Sequence, residues 1–495
     1  MEDVLPFGLL VAAVSIAGLL AVWSNRISER IRVPAPAIFL VAAAVASDVA
    51  PSLGDMPIVD VQRVVTVMLV LLLFDGGLHI GQARFRTTAT PVLVVGVLGT
   101  ALTAAGVAVF AHLALGVDWR AGLLLGVALA PTDPAIVFSV LGRREVGGRS
   151  GTLLEGESGA NDPVGIAAMA AVLGAGTLGG WEAVGHGLGE FVLQMAVGGV
   201  AGVVGAYLLA LVMHRVPLPN GALYPLQTLL GAGVVYGVAT AAHGSGFLAV
   251  FVAGILLGDV HAPYKGEIER FHSSLASLAE IVAFALLGLT VSVRDTLSAD
   301  VWVAGLVLAL VLALVLRPLL VGPLLMAVDM RPGERAFVLW SGLKGAVPIL
   351  LGTYVLTSDV ADAERLYGIV VVVVTFSVVV QAGLVPAVAE RAGVPMRVME
   401  PEPWSLGVRF RDRPSGLRRF HVAPGAPADG TAIADLELDE DTWISMVSRD
   451  GALVPVRGRT VLRAGDEVLV LVDPDADLDA DGQVDPARVF TPPGR

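Results

Sequence analysis

Long apolar runs recur along most of this 495-residue chain and limit what it can fold into. A helix needs about 20 predominantly apolar residues to cross a bilayer, and thirteen segments come close to that length. Only 16% of the residues are charged, against about 25% in an average soluble domain. The sequence therefore predicts an all-α polytopic membrane domain over residues 1–395. The predicted spans are 4–23, 33–50, 61–81, 90–116, 119–141, 150–176, 186–214, 222–242, 244–260, 268–293, 300–328, 333–356 and 365–390.

Lysine and arginine are distributed unevenly between successive loops. Odd-numbered loops and the adjoining span ends hold thirteen of these residues, whereas even-numbered loops hold four. Because basic residues gather in cytoplasmic loops, this asymmetry places the N-terminus outside and the C-terminus inside. The first apolar segment precedes the first arginine, Arg26, so we interpret it as a spanning helix and not as a cleaved signal. We expect a multi-pass protein of the inner, cytoplasmic membrane.

The composition changes after about Met399. Residues 401–495 contain 17 acidic and 11 basic residues and no apolar run long enough to span a bilayer. Short strand-like pieces separated by turn signals predict a small α+β cytoplasmic domain over 403–475. The Asp- and Pro-rich stretch 476–495 is predicted to be a disordered tail. The predicted strands are Arg418–Val422, Thr442–Ser448, Leu453–Val456 and Glu467–Val472.

Two prolines flank a carboxylate in the middle of the fifth segment, in the sequence Pro131-Thr132-Asp133-Pro134. Each proline removes a backbone N–H and disturbs the helical hydrogen bonds, so the helix is expected to unwind here. Broken helices form cation sites in transporters, because they expose carbonyls and helix ends near the middle of the bilayer. The alternative interpretation is a simple proline kink with a hydrogen-bonded aspartate.

The sixth segment carries polar side chains at helical spacing. Ser158 and Asp162 lie four residues apart and share one helix face, while Glu157 and Asn161 share the adjoining face. Carboxylate and hydroxyl oxygens suit a hard monovalent cation, and a lone carboxylate can bind a proton instead. One site with two alternative occupants is the minimal chemistry of an antiporter. The alternative is a structural polar network that holds helices together.

Two basic residues interrupt the last apolar segments. Arg317 lies in the eleventh segment and needs a buried carboxylate partner, for which Glu157 is the best candidate. An arginine whose charge reaches the membrane interface is the alternative. Lys344 lies beside a glycine and a proline in the twelfth segment, so this helix is also expected to be broken.

The two expected breaks occupy matching places in the chain. Segments five and twelve would pair in a six-helix inverted repeat, and such paired interruptions point to a transport site. Asp133 would then offset the exposed helix N-termini and Lys344 the C-termini. Asp75 and Glu280 are candidate cavity residues, with a structural role as the alternative for each. His79 and His243 are interpreted as ordinary interfacial residues.

Several function classes find no support. The chain has no cysteine, which excludes disulfide and iron–sulfur chemistry, and its net charge of −13 argues against a nucleic-acid partner. It has no phosphate-binding Gly-x-x-x-x-Gly-Lys-Ser/Thr loop and no Thr-Val-Gly-Tyr-Gly filter, which argues against an ATP-driven pump and a channel. Asp477, Asp479 and Asp481 resemble half of a calcium loop, but Arg488 stands where the closing acid should be. We expect no enzyme activity and no cofactor.

At these motifs the sequence resembles the NhaP/CvrA branch of the cation:proton antiporter superfamily, which includes animal sodium/proton exchangers. The likeness covers about 1–390, and residues 405–475 resemble a TrkA-C (RCK C-terminal) domain. The matching pieces are Phe74-Asp75-Gly76-Gly77-Leu78, Pro131-Thr132-Asp133-Pro134, Glu157-Ser158-Gly159-Ala160-Asn161-Asp162-Pro163, Arg317-Pro318 and Gly342-Leu343-Lys344-Gly345-Ala346-Val347-Pro348.

The resemblance implies a role for each matching residue. Asp162, of the Asn161-Asp162 pair, would bind the proton and the cation, and Thr132 and Ser158 would supply further ligands. Glu157 and Arg317 would form a structural ion bridge, and Asp133 would balance the crossing helices. The departure is Lys344, where many relatives have arginine, which puts its role in doubt.

The resemblance also implies properties of the whole protein. It predicts electroneutral exchange of K⁺ or Na⁺ for H⁺ by alternating access, with a role in pH and cation homeostasis. It implies a homodimer in the lipid bilayer and a small-molecule ligand, such as a nucleotide, at the C-terminal domain. No metal is expected beyond the transported cation. The TrkA-C likeness favours K⁺, with three alternatives: a Na⁺/H⁺ antiporter, a ligand-gated cation channel and a ligand-controlled sensor.

Overall fold

A computed structural model describes most of the chain. Its residues divide into two compact units, Met1–Met399 and Glu400–Arg495. The described residues are 8, 11–12, 15–16, 18–24, 33–141, 144–146, 149–175, 180–260, 262–296, 298–398, 417–436, 438, 442–449, 452–472 and 489–491.

The first unit is built from helices. Residues 18–23 of the first predicted span are helical, and much of the rest of that span lies outside the described residues. Every predicted span from 33–50 onwards coincides with one or two helices. These are α1 (Ala35–Val49), α2 (Ile58–Leu93), α3 (Thr100–Leu115), α4 (Trp119–Leu129), α5 (Pro134–Leu141), α6 (Arg149–Gly174), α7 (Gly180–Arg215), α8 (Leu223–Ala241), α9 (Gly246–Leu257), α10 (Lys265–Leu289), α11 (Ala299–Leu320), α12 (Pro332–Trp340), α13 (Ala346–Leu356) and α14 (Ala363–Arg391).

Short elements connect these helices. Two strands, β1 (Arg144–Val146) and β2 (Met396–Val398), pair antiparallel and join the chain after α5 to the chain after α14. No sequence pattern predicted this pair, because its two strands are about 250 residues apart. The short helical turns are Pro51–Leu53, Val293–Thr296 and Gly322–Met326.

Interruptions make many of the helices short. Within the described ranges, five helices are long and apolar enough to cross a membrane alone, or six if the bent pair α4 and α5 counts as one. The helices α1, α9 and α13 are apolar but have only 15, 12 and 11 residues. The predicted number of thirteen spans therefore stays a prediction, while the mostly helical membrane architecture is established.

The helix α2 continues through a wide π turn, Val94–Gly99, into α3, so one helical rod runs from Ile58 to Leu115. The rod has one non-helical residue inside α2, Gly81, with φ 66° and ψ 162°. Only glycine readily adopts this conformation. Two predicted spans, 61–81 and 90–116, are thus the two sides of one interrupted rod.

Glycines bring α2 and α9 into close contact. Gly77 and Gly81 lie one turn apart on α2, and they face Gly254 and Gly258 at the end of α9. A Cβ atom at Gly254 would lie 2.5 Å from the Phe74 carbonyl oxygen, so a larger residue would force the helices apart. Helices in membranes associate through such small residues, because the backbones can then approach and gain van der Waals contact.

The second unit is a small β-sheet domain. Its antiparallel sheet has the strand order β3 (Leu417–His421), β6 (Glu467–Val472), β4 (Thr442–Arg449) and β5 (Ala452–Val454). All four predicted strands are present, with ends shifted by one or two residues. Among its described residues, helical structure is confined to the single turn Ile433–Asp435 and to two residues at 489–490, so the sheet is the main regular structure of the domain.

The chain end contributes to the core of this domain. Val489 and Phe490 are buried, and the Phe490 ring stacks on Phe420 with 5.0 Å between ring centroids. The Val489 carbonyl accepts a hydrogen bond from the Ala428 N–H at 3.0 Å. At 489–491 the predicted disordered tail is therefore wrong, because two apolar residues after the acidic run are buried in the core. The rest of that tail, 476–488 and 492–495, lies outside the described residues.

Candidate ion-binding site

Two broken helices meet in the middle of the membrane unit. The helices α4 and α5 are separated at 130–133 and bent by 40°, and α12 and α13 are separated at 341–345. The Asp133 N–H donates to the Leu343 carbonyl at 2.8 Å, so the two breaks are in direct contact. Both breaks occur at the proline-flanked charges where the sequence predicts them.

Lys344 lies across the break between α4 and α5. Its Nζ donates to the carbonyls of Ala130 and Pro131 at 3.0 and 3.1 Å, and the residue is only 3% exposed. These carbonyls belong to the C-terminal end of α4, where the helix dipole concentrates negative charge. The ammonium group therefore satisfies backbone oxygens that the break leaves without helical partners.

Asp133 lies at the opposite helix end. Its Oδ1 accepts a hydrogen bond from the Ala135 N–H at 2.9 Å, in the first turn of α5, where a negative charge is favourable. A Cβ atom at Gly345 would overlap the Asp133 side chain. Gly345 therefore lets the two breaks approach each other closely.

Asn161 joins α6 to the first break. Its Nδ2 donates to the Thr132 Oγ1 at 2.8 Å, and its Oδ1 accepts from the Thr132 N–H at 3.3 Å. Both residues are buried. This reciprocal pair holds the unwound residues of the α4–α5 break against the helix that carries Asp162.

Asp162 follows Asn161 on α6 and is half-buried. Across the described part of the chain, no group donates a hydrogen bond to its carboxylate, which interacts electrostatically with Asp133 and Lys344. Ser158 lies one turn earlier and is buried. Pro163, within the helix, cannot donate to the Gly159 carbonyl, so a further oxygen is free of its helical partner.

Glu157 and Arg317 form a buried ion pair. The Arg317 Nη2 lies 2.8 and 3.0 Å from the two Glu157 oxygens, and the residues are 4% and 3% exposed. The Arg317 Nε also donates to the Leu339 carbonyl at 3.0 Å, at the end of α12. A side chain at Gly342 would overlap the Arg317 guanidinium. The alternative of an interfacial Arg317 is wrong, because its charge is buried and bonded on several sides.

The candidate cavity residues separate into two places. The Asp75 Oδ1 lies 3.3 Å from the His79 Nδ1 and 3.4 Å from the Ser273 Oγ, between α2 and α10, and among its described contacts none is with the Asp162 group. Glu280 interacts electrostatically with Asp133, and its Oε1 is buried without a hydrogen-bond partner in the described structure. His79, interpreted from sequence as an ordinary interfacial residue, is the ion-pair partner of Asp75.

Two residues that sequence reasoning missed hold the second break. The Ser377 Oγ accepts from the Lys344 N–H at 2.9 Å, and the Gln381 Nε2 donates to the Trp340 carbonyl at 2.7 Å. Both lie on α14 and are buried. Their only sequence signal is a pair of polar residues four apart in a valine-rich run.

Comparison with known proteins identifies the family. Residues 12–391 match the model of the transmembrane sodium/hydrogen exchanger family, and residues 417–479 match the TrkA-C domain. The chain belongs to the sodium/hydrogen exchanger family and is a cation/proton antiporter with a C-terminal TrkA-C domain. This confirms the resemblance seen in the motifs and the expectation of a transporter and not an enzyme.

Curated relatives are similar over two thirds of the chain or more. The K(+)/H(+) antiporter NhaP of Alkalimonas amylolytica is 31% identical over 471 residues, covering 94% of this chain and 81% of the relative. The K(+)/H(+) antiporter NhaP2 of Shewanella sp. (strain ANA-3) is 30% identical over 477 residues, covering 94% and 80%. The Na(+)/H(+) antiporter ApNhaP of Aphanothece halophytica is 26% identical, covering 67% of this chain and 65% of the relative.

Solved structures share the fold of the membrane unit. The sodium proton antiporter MjNhaP1 of Methanocaldococcus jannaschii superposes with a TM-score of 0.66 at 20% identity. The match covers 78% of this chain and 99% of that structure. The mostly helical membrane architecture is therefore shared with a transporter of known structure.

Proposed function

We propose that this protein exchanges K⁺ for H⁺ across the cytoplasmic membrane by alternating access at Asp162. The observation that carries the proposal is the Asp162 carboxylate itself. It is half-buried beside two broken helices, and no described group hydrogen-bonds to it, so it is available to a proton or a cation. Buried carboxylates with a structural role are usually paired or hydrogen-bonded, as Glu157 is.

Neighbouring oxygens complete the proposed cation site. The Ser158 hydroxyl and the Gly159 carbonyl lie within one turn of Asp162 on α6, and Thr132 lies across the break. Hard cations prefer such oxygen ligands. Asn161 and Asp133 position the unwound residues through their hydrogen bonds and add to the polar surroundings.

A single exchangeable carboxylate makes the exchange electroneutral in this scheme. Asp162 carries either one proton or one monovalent cation through the membrane, and its other charged neighbours keep their partners throughout. Lys344 stays on the carbonyls of α4, and Glu157 stays on Arg317, so neither binds the transported ion. The exchange then depends on the chemical gradients of H⁺ and the cation and is insensitive to membrane voltage.

The choice of K⁺ over Na⁺ rests on the relatives. The two K(+)/H(+) antiporters are 31% and 30% identical over 94% of the chain, whereas the Na(+)/H(+) antiporter is 26% identical over 67%. The relatives named for K⁺ also match through the C-terminal domain. A Na⁺/H⁺ antiporter that does not carry K⁺ is the runner-up, and a ligand-gated cation channel is the third reading.

We further propose a homodimer with the N-terminus outside and the C-terminus in the cytoplasm. The basic residues of the odd-numbered loops support this orientation. The C-terminal domain would regulate exchange in response to a small ligand such as a nucleotide. Deleting 401–495 should then leave cation-dependent proton movement in place and change only its regulation.

The test is proton movement in everted vesicles, followed with a pH-sensitive dye on addition of KCl or NaCl. We expect K⁺-dependent proton movement with the native chain and its loss in Asp162→Asn, which cannot exchange a proton. Asp60→Asn is the matched control, because Asp60 is a half-exposed aspartate whose described partner is Arg63. Proton movement with NaCl alone would support the runner-up, and movement of cations without protons would support a channel.

A further inference from the structure

The second break is held against α14 by a closed ring of hydrogen bonds. The Ser377 Oγ accepts from the Lys344 N–H at 2.9 Å and donates to the Gln381 Oε1 at 3.2 Å. The Gln381 Nε2 donates to the Trp340 carbonyl at 2.7 Å, and the Trp340 Nε1 donates to the Gln381 carbonyl at 3.1 Å. Ser377, Gln381 and Trp340 thus connect both sides of the break to a single helix.

The ring satisfies backbone groups that neither helix can satisfy alone. The break at 341–345 leaves the Lys344 N–H and the Trp340 carbonyl without helical partners, and water is scarce at this depth. The helix α14 forms a π turn over Ser377–Gln381, the segment that carries both ring residues, and the Gln381 carbonyl accepts from the Trp340 Nε1. Such π turns are frequent at functional sites.

The ring holds the backbone N–H of Lys344, while carbonyls of the α4–α5 break hold its ammonium group. The Nζ reaches the carbonyls of Ala130 and Pro131, at the end of α4. Lys344 and Asp162 interact electrostatically within the same buried region, and an ammonium and a carboxylate attract each other. If the Lys344 backbone were free to shift, its ammonium could leave the carbonyls and approach the Asp162 carboxylate.

We propose that Ser377 and Gln381 are positioning residues for exchange: their ring holds Lys344 on the α4 carbonyls and so keeps Asp162 free for the cation. This rests on the proposed exchange at Asp162. An ammonium group near Asp162 would compete directly with K⁺, so loosening the ring weakens apparent cation affinity before it affects the maximal rate. The described hydrogen bonds of Ser377 and Gln381 include none with Asp162, Ser158 or Thr132.

The experiment compares Ser377→Ala and Gln381→Leu with the native full-length chain, in two assays. The first is the apparent KM for K⁺ and the maximal rate of proton movement in vesicles. The second is the rise of the melting temperature with KCl concentration in detergent, which reports cation binding without transport. Losing one hydrogen bond of the ring should raise the apparent KM about three- to tenfold and shift the KCl dependence of melting to higher concentration by a similar factor.

Two matched variants separate positioning from general packing. Ser377→Thr keeps the hydroxyl and should restore a near-native KM. Thr375→Ala removes a polar side chain from the same helix. Among the described hydrogen bonds, Thr375 takes part in none of the ring, so this variant should leave KM unchanged. Equal losses of melting temperature and maximal rate with an unchanged KM would mean that the ring only supports the fold, and the proposal would be overturned.

The same measurements distinguish this proposal from the proposed function. If the native chain moves no protons with KCl or NaCl, exchange at Asp162 fails, whatever the variants do. If the native chain exchanges normally while Ser377→Ala and Gln381→Leu keep its KM and its KCl-dependent melting, only the positioning role fails.

Discussion

Two buried cations near the site are satisfied by different chemistry. Arg317 binds both oxygens of Glu157 and a carbonyl at the end of α12, which suits a planar guanidinium with several donors. Lys344 binds two backbone carbonyls and, among its described hydrogen bonds, no carboxylate. The Glu157–Arg317 pair therefore joins α6 to α11 through opposite charges. The described hydrogen bonds of the Lys344 ammonium instead go to carbonyls at the end of α4.

We predict that Glu157→Gln destabilises the membrane unit strongly. The change leaves the Arg317 charge buried without its carboxylate, which costs about 3–5 kcal/mol at comparable sites. Thermal unfolding in detergent should show a lowered melting temperature. Replacing both partners, Glu157→Leu with Arg317→Leu, should cost less than the sum of the single changes. A melting temperature for Glu157→Gln equal to that of the exposed-site control Asp60→Asn would contradict this account.

Asp466 makes the C-terminal domain sensitive to acid. Burial by itself would raise the pKa of its carboxyl group. The hydrogen bonds and charge of Arg449, at 2.7 Å from each oxygen, and the Arg463 N–H outweigh burial and lower the pKa below its ordinary value. Because the folded pKa lies below the unfolded pKa, the stability that Asp466 adds is full above about pH 4 and is lost as the pH falls through the folded pKa.

We predict that Asp466→Asn lowers the stability of the C-terminal domain at pH 7 and flattens this acid dependence. Hydrogen exchange of the β4 and β6 peptides in the full-length chain, read by mass spectrometry, should be faster in the variant at pH 7. The difference from the native chain should shrink below about pH 4, where the native carboxyl also becomes protonated. An equal difference at both pH values would mean that the charge of Asp466 is not the cause.

At the scale of elements, the interruptions decide how the helices meet. The paired breaks expose backbone N–H and carbonyl groups, which are satisfied by Lys344, Asp133 and the ring of α14. The π turn Leu312–Leu316 of α11 directly precedes Arg317, and the π turn of α14 is formed by Ser377–Gln381. The interruption of α2 at Gly81 has a different cause. It falls where α2 and α9 cross through close glycine contacts, so packing and not an ion site explains it.

We predict that Gly81→Ala costs about 1–3 kcal/mol, because alanine rarely adopts φ 66° with ψ 162°. The melting temperature in detergent should fall accordingly. Gly76→Ala is the control on the same helix, since an added Cβ there meets no atom within 4 Å. Equal melting temperatures for the two variants would show that the rod does not require glycine at position 81.

At the scale of the whole molecule, α2 joins two groups of helices. Its first part packs on α9 and α10, and after Gly81 the rod continues through α3, which packs on α4. Polar contacts link these groups near the start of α2, where the Gln62 Nε2 lies 3.1 Å from the Thr353 Oγ1 and 3.5 Å from the Thr357 Oγ1 at the end of α13. The proposed alternating access requires the groups to move, so these contacts should open during exchange.

We predict that linking positions 62 and 357 stops exchange. The chain has no cysteine, so a Gln62→Cys, Thr357→Cys pair can be joined selectively by a short bifunctional thiol reagent. Proton movement should fall after linking and return after reduction. A pair within one group, His79→Cys with Ser273→Cys, whose native side chains lie 3.3 Å apart on α2 and α10, should keep its activity when treated in the same way. Full activity of the linked 62–357 pair would mean that these groups do not separate there.

The sequence predicts some of this structure and could not predict the rest, for physical reasons. Prolines and buried charges disturb a helix at their own positions, so Pro131, Asp133 and Lys344 predict the two breaks. Contacts between distant parts of the chain leave no local signal, which is why the β1–β2 pair and the ring of Ser377 and Gln381 were missed. Gly81 ends the predicted span 61–81, because polar and basic residues follow it, so the sequence predicts a loop where the structure has a helix interrupted at one residue. The pairing of Asp75 with His79 was not predicted, although their four-residue spacing places both on one helix face.

The burial of Phe490 changes where the boundary of the C-terminal domain should be drawn. Truncating a core Phe to Ala typically lowers the free energy of unfolding by about 3–5 kcal/mol. Phe490 is fully buried and stacks on Phe420. A chain cut after residue 475 would keep all four strands and still uncover the core of the C-terminal domain. A fragment meant to fold as the isolated C-terminal domain should therefore include residues 476–491 and not stop at the last strand.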